Sequence, residues 1–565
     1  MGGFLSSAMK NTAIASVMLY LYKLIMLQPQ GQLLTILKTF FMTLRVKTSK
    51  MVRDYQGRTM LTDHSTIPVV TFFHAPSDPH STILLQALKI LITKYNIRIL
   101  PKIVSPLRDN AIAGHSIEYV TQWNWGLKDS TAVAKVNGLQ QLRSLDPPVI
   151  NVEDFNVKAM KYDVLLSKIV EELFNTQDSS LNGLTAGNSM EFLDIAIAAG
   201  KELFGRKDGP KTLDKETLSI RNKYFAPYMN MDVHDKTRQK QIIATNHQDL
   251  KDLGHYLAGM LYLKPDFYWG VDRLYHLEER LLELNLGRYR DQKPTFVQNY
   301  KLRALTIPNV QSLKVRPPTN KIVMYYSFRS PYSQLAVDRI YNLGKSWGIE
   351  VETKPVLPMV VSMICHIYIY YYYLTLYILT IIRYICIYIH SIQMRGLQVK
   401  LNKGLYIMGD AMRESYQIGF PWSAFSDPVG AGTIRAFALW YDYVVPEKKE
   451  EDFLRSFSIS VWAEAYDAAT DAGMKVIIER AGLNWDIAKK YLQSNNGLGN
   501  DRWRERENES QEEMLSLGVW GVPSFTYGQE NVFWGQDRIR ALEDKIVEDV
   551  SGDRNVLDGL NYNRL

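Results

Sequence analysis

Two stretches of this chain follow nearly the same wording: Tyr268-Trp269-Gly270-Val271-Asp272-Arg273-Leu274 and Phe533-Trp534-Gly535-Gln536-Asp537-Arg538-Ile539. Each runs into a charged amphipathic helix, HLEERLLE in the first case and ALEDKIVE in the second. Upstream of each lies an apolar strand with a proline turn behind it. Ile67-Pro68-Val69-Val70-Thr71-Phe72-Phe73 leads into Ser77-Asp78-Pro79-His80-Ser81, and Ile322-Val323-Met324-Tyr325-Tyr326 leads into Arg329-Ser330-Pro331-Tyr332-Ser333. Matches in the same order over a domain's length predict an internal duplication. The pattern of strand, helix, helical middle and terminal strands predicts an α/β fold in two copies, residues 67–300 and 321–565. Residues 301–320, with Pro308 and the pair Pro317-Pro318, form the linker. A chain of 565 residues is too long for one compact core, which agrees with this division.

The second copy carries the chemistry. Ser330 and Pro331 open a helical pattern with Leu335, Val337, Ile340 and Leu343 on one face. Serine is a favoured N-cap, and proline costs nothing at the first helical position, where the N–H has no partner. Ser330 is therefore predicted at the tip of a strand and at the positive end of a helix, where free backbone N–H groups stabilise an anion such as a thiolate. In the first copy Asp78 replaces that serine, and its carboxylate would repel an anion. A gapless count back from the Trp-Gly motif sets Ala258 opposite Pro523, with no proline beside it. The first copy is expected to be a structural or dimerising partner, and His74 and His80 at its turn to be structural or solvated.

Composition narrows the classes. A net charge of +7 without dense Lys/Arg blocks argues against nucleic-acid binding. The two cysteines, Cys365 and Cys386, form no C-x-x-C, which excludes a dithiol oxidoreductase. No metal site is expected. Residues 1–66 read as a leader. Lys10, Lys23, Lys38, Arg45, Lys47, Lys50 and Arg53 precede the first acid, Asp54, as in a mitochondrial presequence. A start at Met51 is an equal alternative. A membrane anchor is the third, although the run from Ala13 to Leu27, broken by Lys23, is short of the roughly 20 apolar residues of a span.

Residues 361–393, VSMICHIYIYYYYLTLYILTIIRYICIYIHSIQ, contain no Asp, Glu, Gly, Pro or Lys. A membrane span is the obvious reading, but it would put Ser330 and Pro523 on opposite sides of a bilayer. A retained intron accounts for the stretch better. Val-Ser-Met is encodable by a splice donor and the closing Gln by CAG, the acceptor; removal joins Met359-Val360 to Met394-Arg395-Gly396-Leu397. The remaining protein would contain no cysteine, so a reactive sulfur would have to come from a bound thiol.

The ordered set of strand, Ser-Pro-Tyr-Ser helix, helical middle, Gly521-Val522-Pro523-Ser524-Phe525 and Trp-Gly-x-Asp-Arg resembles the kappa-class glutathione transferases and the 2-hydroxychromene-2-carboxylate isomerases. These belong to the DsbA-like branch of the thioredoxin superfamily. The resemblance implies two tandem thioredoxin-like (DsbA-type) domains, each with a helical insertion, at 405–510 in the second. Trp440, Phe453, Phe457 and Trp462 are expected in its core. The resemblance further implies glutathione as co-substrate, with its sulfur on Ser330 and contacts from Pro331 and Tyr332. Val522, before a cis Pro523, would pair with the cysteinyl part, and Gln536 and Asp537 would hold the γ-glutamyl end. The second substrate would be a small electrophilic or unsaturated molecule, a homodimer is one option, and a mitochondrial or peroxisomal location is expected, with the cytoplasm as the alternative and secretion excluded. Asn563-Arg564-Leu565 resembles a peroxisomal address. The asparagine that kappa enzymes carry after the second strand has no clear match, and the region from Met394 is like tandem DsbA-family relatives of the isomerase. The competing reading is a non-catalytic thioredoxin-like scaffold, and a third is an integral membrane protein using 361–393.

Overall fold

The computed structural model describes residues 67–105, 119–142, 152–174, 185–204, 214–228, 233–255, 257–296, 300, 321–357, 401–423, 425–528 and 531–551. The expected leader, linker, 361–393 stretch and C-terminal address lie outside these residues. The described chain forms two compact units, 67–296 and 300–551. Among the described residues no helix is long and apolar enough to cross a membrane.

In the N-terminal unit β1 (Val69–His74) leads through a turn to α1 (Pro79–Lys94) and then β2 (Arg98–Ile103). Helices α2 (Tyr119–Val136), α3 (Val152–Phe174), α4 (Ala186–Phe204), α5 (Lys215–Ile220) and α6 (Val233–Asp252) follow. The hairpin β3 (Met260–Leu263) and β4 (Asp266–Trp269) and helix α7 (Leu274–Glu283) close the unit. The sheet order is β2-β1-β3-β4, with β1 parallel to β2 and antiparallel to β3. Glycine permits one close helix contact: a Cβ on Gly200 of α4 would stand 2.4 Å from the Thr82 methyl of α1.

The C-terminal unit repeats that topology. It runs β5 (Lys321–Tyr326), α8 (Pro331–Trp347) and β6 (Glu350–Pro355). Six helices then form the block expected at 405–510: α9 (Leu401–Ile418), α10 (Ala431–Leu439), α11 (Glu450–Trp462), α12 (Asp471–Arg480), α13 (Trp485–Tyr491) and α14 (Trp503–Ser516). β7 (Ser524–Tyr527), β8 (Asn531–Trp534) and α15 (Ile539–Ser551) complete it. The sheet order is β6-β5-β7-β8 with the same strand directions. Trp440, Phe453, Phe457 and Trp462 are buried core side chains, as expected. Three of them, with Phe437 and Tyr326, surround the fully buried ring of Phe328 at centroid distances of 5.0–6.2 Å. Phe328 lies two residues before Ser330, so the helical block anchors the strand-to-helix turn by aromatic burial.

One polar contact recurs inside both units. The Tyr95 hydroxyl donates to Glu278 at 3.0 Å, and the Trp347 indole donates to Glu543 at 3.1 Å. Each aromatic stands sixteen residues after its proline, Pro79 or Pro331, and each glutamate lies in the shared helix motif. The sheet register corrects one alignment. Phe73 pairs with Met260 where Tyr325 pairs with Ser524, so Gly259, not Ala258, stands opposite Pro523. Gly270 N–H donates to Gly259 O at 2.9 Å just as Gly535 N–H donates to Pro523 O at 2.8 Å. The gapless count slipped because only Lys264 and Pro265 lie between β3 and β4, whereas the interval from the end of β7 at Tyr527 to the start of β8 at Asn531 is one residue longer.

Asp163 on α3 is buried with one carboxylate oxygen unpartnered, and burial lifts its pKa from 3.8 to about 7. The folded state then holds a proton that the unfolded chain releases between those values. Stability from this group is therefore fullest below the unfolded pKa and declines as pH rises toward 7. We expect Asp163→Asn to unfold at higher temperature than the parent at pH 8, with the difference vanishing near pH 4; thermal unfolding across that range measures it.

Candidate functional site

The β5–α8 turn of the C-terminal unit is held from three sides. Ser330 caps α8, its Oγ accepting from Ser333 N–H at 3.3 Å, and it is 2 % exposed. Gln334, one turn into the helix and fully buried, reaches back with Nε2 to three turn carbonyls: Ser327 at 3.1 Å, Phe328 at 3.3 Å and Ser330 at 3.0 Å. Its Oε1 accepts from the Tyr326 hydroxyl at 2.6 Å and the Ser458 hydroxyl at 2.8 Å. Arg329 forms two parallel 3.0 Å hydrogen bonds with Asp427, in the loop between α9 and α10. A bidentate, partly shielded pair of this kind fixes orientation as well as adding energy.

The opposite wall comes from the loop before β7. The Val522–Pro523 peptide is cis, and the Ser330 hydroxyl donates to Val522 O at 3.4 Å. That bond is long for an O–H···O contact, whose usual length is about 2.7–2.8 Å, so the serine proton is only loosely committed. Pro523 O in turn accepts from Gly535 N–H, which brings the Gln536-Asp537 corner beside the same loop. Gly535 holds φ at +106°, a conformation suited to glycine. Trp534 packs edge-on against Trp520 at 4.7 Å and lies over Gly521.

Of the residues singled out in the sequence, Ser330, Pro331, Tyr332, Val522 and Pro523 meet where the N-terminus of α8 faces the Val-Pro loop. Pro331 is buried at the first helical position. Tyr332 is half-buried, and its hydroxyl donates to Asp410 at 2.7 Å. Asp537 remains half-exposed at the entrance to α15. Gln536 differs from the expectation that its side chain grips a ligand. It is fully buried, its Oε1 accepts from Arg339 at 2.6 Å, and its Nε2 donates to Glu414 at 2.6 Å. A side chain so engaged shapes the corner but does not reach out of it. Sequence reading missed Gln334, Arg329 with Asp427, and the buried acids of α9. Only the last left a signal, the i, i+3, i+4 spacing of Asp410, Arg413 and Glu414 on one helix face.

The N-terminal unit fills the same place with its own side chains. Asp78 caps α1, accepting from His80 N–H at 3.0 Å, and burial raises its pKa against the pull of His80. The Trp269 indole donates to Ala258 O at 3.1 Å, occupying the carbonyl equivalent to that of Val522. The His80 ring lies 5.2 Å from Trp269, with Nε2 3.4 Å from Asp129. His74 is buried, its Nδ1 is 2.7 Å from the Ser81 hydroxyl, and burial lowers its pKa to about 3, so it stays neutral. Both histidines are structural in this arrangement. Among the described residues no group of His, Cys, Asp and Glu is arranged to hold a metal ion.

Residues 390–547 match the DSBA-like thioredoxin domain family. No curated protein matches the sequence. Among solved structures, a 2-hydroxychromene-2-carboxylate isomerase is similar at 18 % identity and a TM-score of 0.28, covering 43 % of this chain and 99 % of its own. A protein described as a probable DsbA oxidoreductase from Streptomyces coelicolor is similar at 12 % identity and a TM-score of 0.27, covering 41 % of this chain and 91 % of its own. The match begins within the second half of the chain, yet β5 and β6, which precede it, complete the sheet through β5–β7 pairing. The C-terminal unit thus has a DsbA-like thioredoxin fold assembled from strands on both sides of residues 358–400.

A Cβ on Gly521 would stand 2.2 Å from the Trp534 ring. Gly521→Ala is expected to dislodge Trp534 and to destabilise the C-terminal unit by about 1–3 kcal/mol, the usual cost of overpacking. A lowered urea midpoint with altered tryptophan fluorescence is the expected result, and an unchanged midpoint would show that the indole does not depend on that glycine.

Proposed function

We propose that the C-terminal unit, on its DsbA-like thioredoxin fold, activates the thiol of bound glutathione for transfer to, or isomerisation of, a small electrophilic or unsaturated substrate. The observation that carries the proposal is the meeting of the Ser330 hydroxyl, the N-terminus of α8 and the Val522 carbonyl within one contact of 3.4 Å. We further take the two units, with their equal strand orders and their recurring aromatic–glutamate contact, as tandem copies of one ancestral domain.

The residues present fit such a guest. A sulfur at Ser330 would accept the hydroxyl proton now directed at Val522 O, a small loss because that bond is long. The positive end of α8 favours the thiolate over the thiol, and the thiolate is the nucleophile, so lowering its pKa raises the reactive fraction. The Val522 backbone would align the cysteinyl part in strand-like pairing. Asp537 would pair with the γ-glutamyl ammonium, while the helix end behind it would receive the carboxylate. Pro331 and Tyr332 would border the sulfur. Gln536, whose Nε2 also donates to Asp537 Oδ1, contributes by holding Asp537 in place.

In a transfer, the thiolate forms a C–S bond with the electrophilic carbon and the leaving group departs with its electron pair. In an isomerisation, the thiolate adds to a conjugated double bond and pushes the π electrons onto the substrate's carbonyl. The resulting single bond rotates, and return of the electrons expels the thiolate unchanged. The chain need supply only binding, orientation and thiolate stabilisation, which suits a site built from a hydroxyl and peptide dipoles.

The scaffold reading keeps one specific observation in its favour: the N-terminal unit plugs its equivalent site with Trp269 and His80. The two readings separate on immobilised glutathione. The full chain is expected to be retained and eluted by free glutathione, and Ser330→Ala and Asp537→Ala to pass through or elute early. With an unsaturated test substrate, Ser330→Ala should lower kcat/KM by about a hundredfold, the order found when one donor to a stabilised anion is lost. Loss of the cap should cost only about 1 kcal/mol of stability. A parent chain that is not retained leaves the scaffold as the standing interpretation.

A further inference from the structure

Helix α9 carries two acids one turn apart that are almost completely inaccessible, Asp410 at 1 % and Glu414 at 0 % exposure. Burying a carboxylate is costly unless charge-assisted hydrogen bonds or a cation compensate it, so what these two hold is informative. Asp410 Oδ2 accepts from the Tyr332 hydroxyl at 2.7 Å, and its Oδ1 accepts from Arg413 at 3.0 Å. Glu414 Oε2 accepts from the Tyr300 hydroxyl at 2.5 Å and from Gln536 Nε2 at 2.6 Å. Gln536 is gripped from the other side by Arg339 of α8, which donates to its backbone oxygen at 2.8 Å and its Oε1 at 2.6 Å. The Arg339 guanidinium lies 5.0 Å from the Tyr300 ring. One face of one helix therefore reaches two separate walls of the site. The first is the turn after Ser330, and the second is the corner that carries Asp537.

We infer that Asp410 and Glu414 are positioning residues for the thiol ligand, Asp410 at its sulfur end through Tyr332 and Glu414 at its amino-acid end through Gln536. Glu414 is then specificity-determining: it sets the corner that separates a γ-glutamyl thiol from a shorter one. The inference rests on the glutathione reading above and adds to it which buried acid serves which part of the ligand. Hydrogen bonds to an ionised acceptor are roughly twice as strong as neutral ones, so an amide of the same shape should loosen the corner without emptying it.

The test is calorimetric titration of the full chain with two thiols, glutathione and cysteinylglycine, which lacks the γ-glutamyl group. Glu414→Gln is expected to raise the Kd for glutathione about tenfold while leaving that for cysteinylglycine within about twofold. Asp410→Asn should weaken both thiols alike, because both share the sulfur end. If Glu414→Gln folds poorly, Tyr300→Phe, which removes one donor from the same oxygen, should show the same selective loss in smaller measure. Equal weakening of both thiols by the Glu414 and Tyr300 variants, or no weakening of either, overturns the assignment while leaving the thiol site standing. A parent chain that binds neither thiol overturns the site itself and this inference with it.

Discussion

Everything at the candidate site depends on how β5 is paired. It runs parallel to β6 on one side and antiparallel to β7 on the other, with Tyr325 opposite Ser524. That register leaves Tyr326 at the end of β5 level with Pro523, the residue just before β7. The chain leaving β5 therefore turns into α8 directly beside the Val522-Pro523 loop, where the cap residue at position 330 meets the Val522 carbonyl. A slip of one residue would turn the side chains of β7 to the opposite face and dismantle the contact. Ile322, Met324 and Tyr326 of β5 are fully buried, and Phe328 beyond them is enclosed by aromatic rings of the helical block.

The parts of this arrangement legible in the sequence were those written in local chemistry. Ser330-Pro331 announced a capped helix, and the apolar run before it announced a strand, because cap and strand preferences act over a few residues. Gly521-Val522-Pro523 and the Trp-Gly corner were visible as turn chemistry. What stayed hidden was long-range satisfaction of buried polar groups. Nothing local marks Gln334 as the residue that closes three carbonyls, or Asp427 as the partner of an arginine 98 residues away. The inward turn of Gln536 belongs to the same class: its two distant partners come from α8 and α9, and only the assembled unit decides which way the amide points. The misplacement of Ala258 had a smaller cause. A turn one residue shorter leaves a motif intact while shifting everything counted back across it.

The two units differ locally on sheets of the same strand order. Both keep the sheet order, the proline-led helix, and the aromatic–glutamate contact that ties the first helix to the last. They part at the cap and at the residue opposite Pro523. With glycine at 259, in a left-handed conformation and close against the Ser81 backbone, the loop presents Ala258 O to the indole of Trp269. In the C-terminal unit Trp534 lies instead on Gly521, and the Val522 carbonyl is left to Ser330. What the units share lies in the sheet and its flanking helices, while what differs is gathered at the cap and at the loop facing it.

The same pairing bears on the Ile- and Tyr-rich stretch at 361–393. β5 and β6 precede it, and β7 and β8 follow it, within one hydrogen-bonded sheet. A single passage through a bilayer between residues 358 and 400 would place directly paired strands on opposite sides, and no sheet survives that separation. Two helical passages need about 40 apolar residues, more than the stretch contains. Whatever these residues do, the ends that flank them must return to one side and one sheet. The DSBA-like match opens at residue 390 and so leaves β5 and β6 before it. What the sheet constrains is the chain on either side, because β6 before residue 358 and α9 after residue 400 belong to one unit with β5, α8 and the Val522-Pro523 loop.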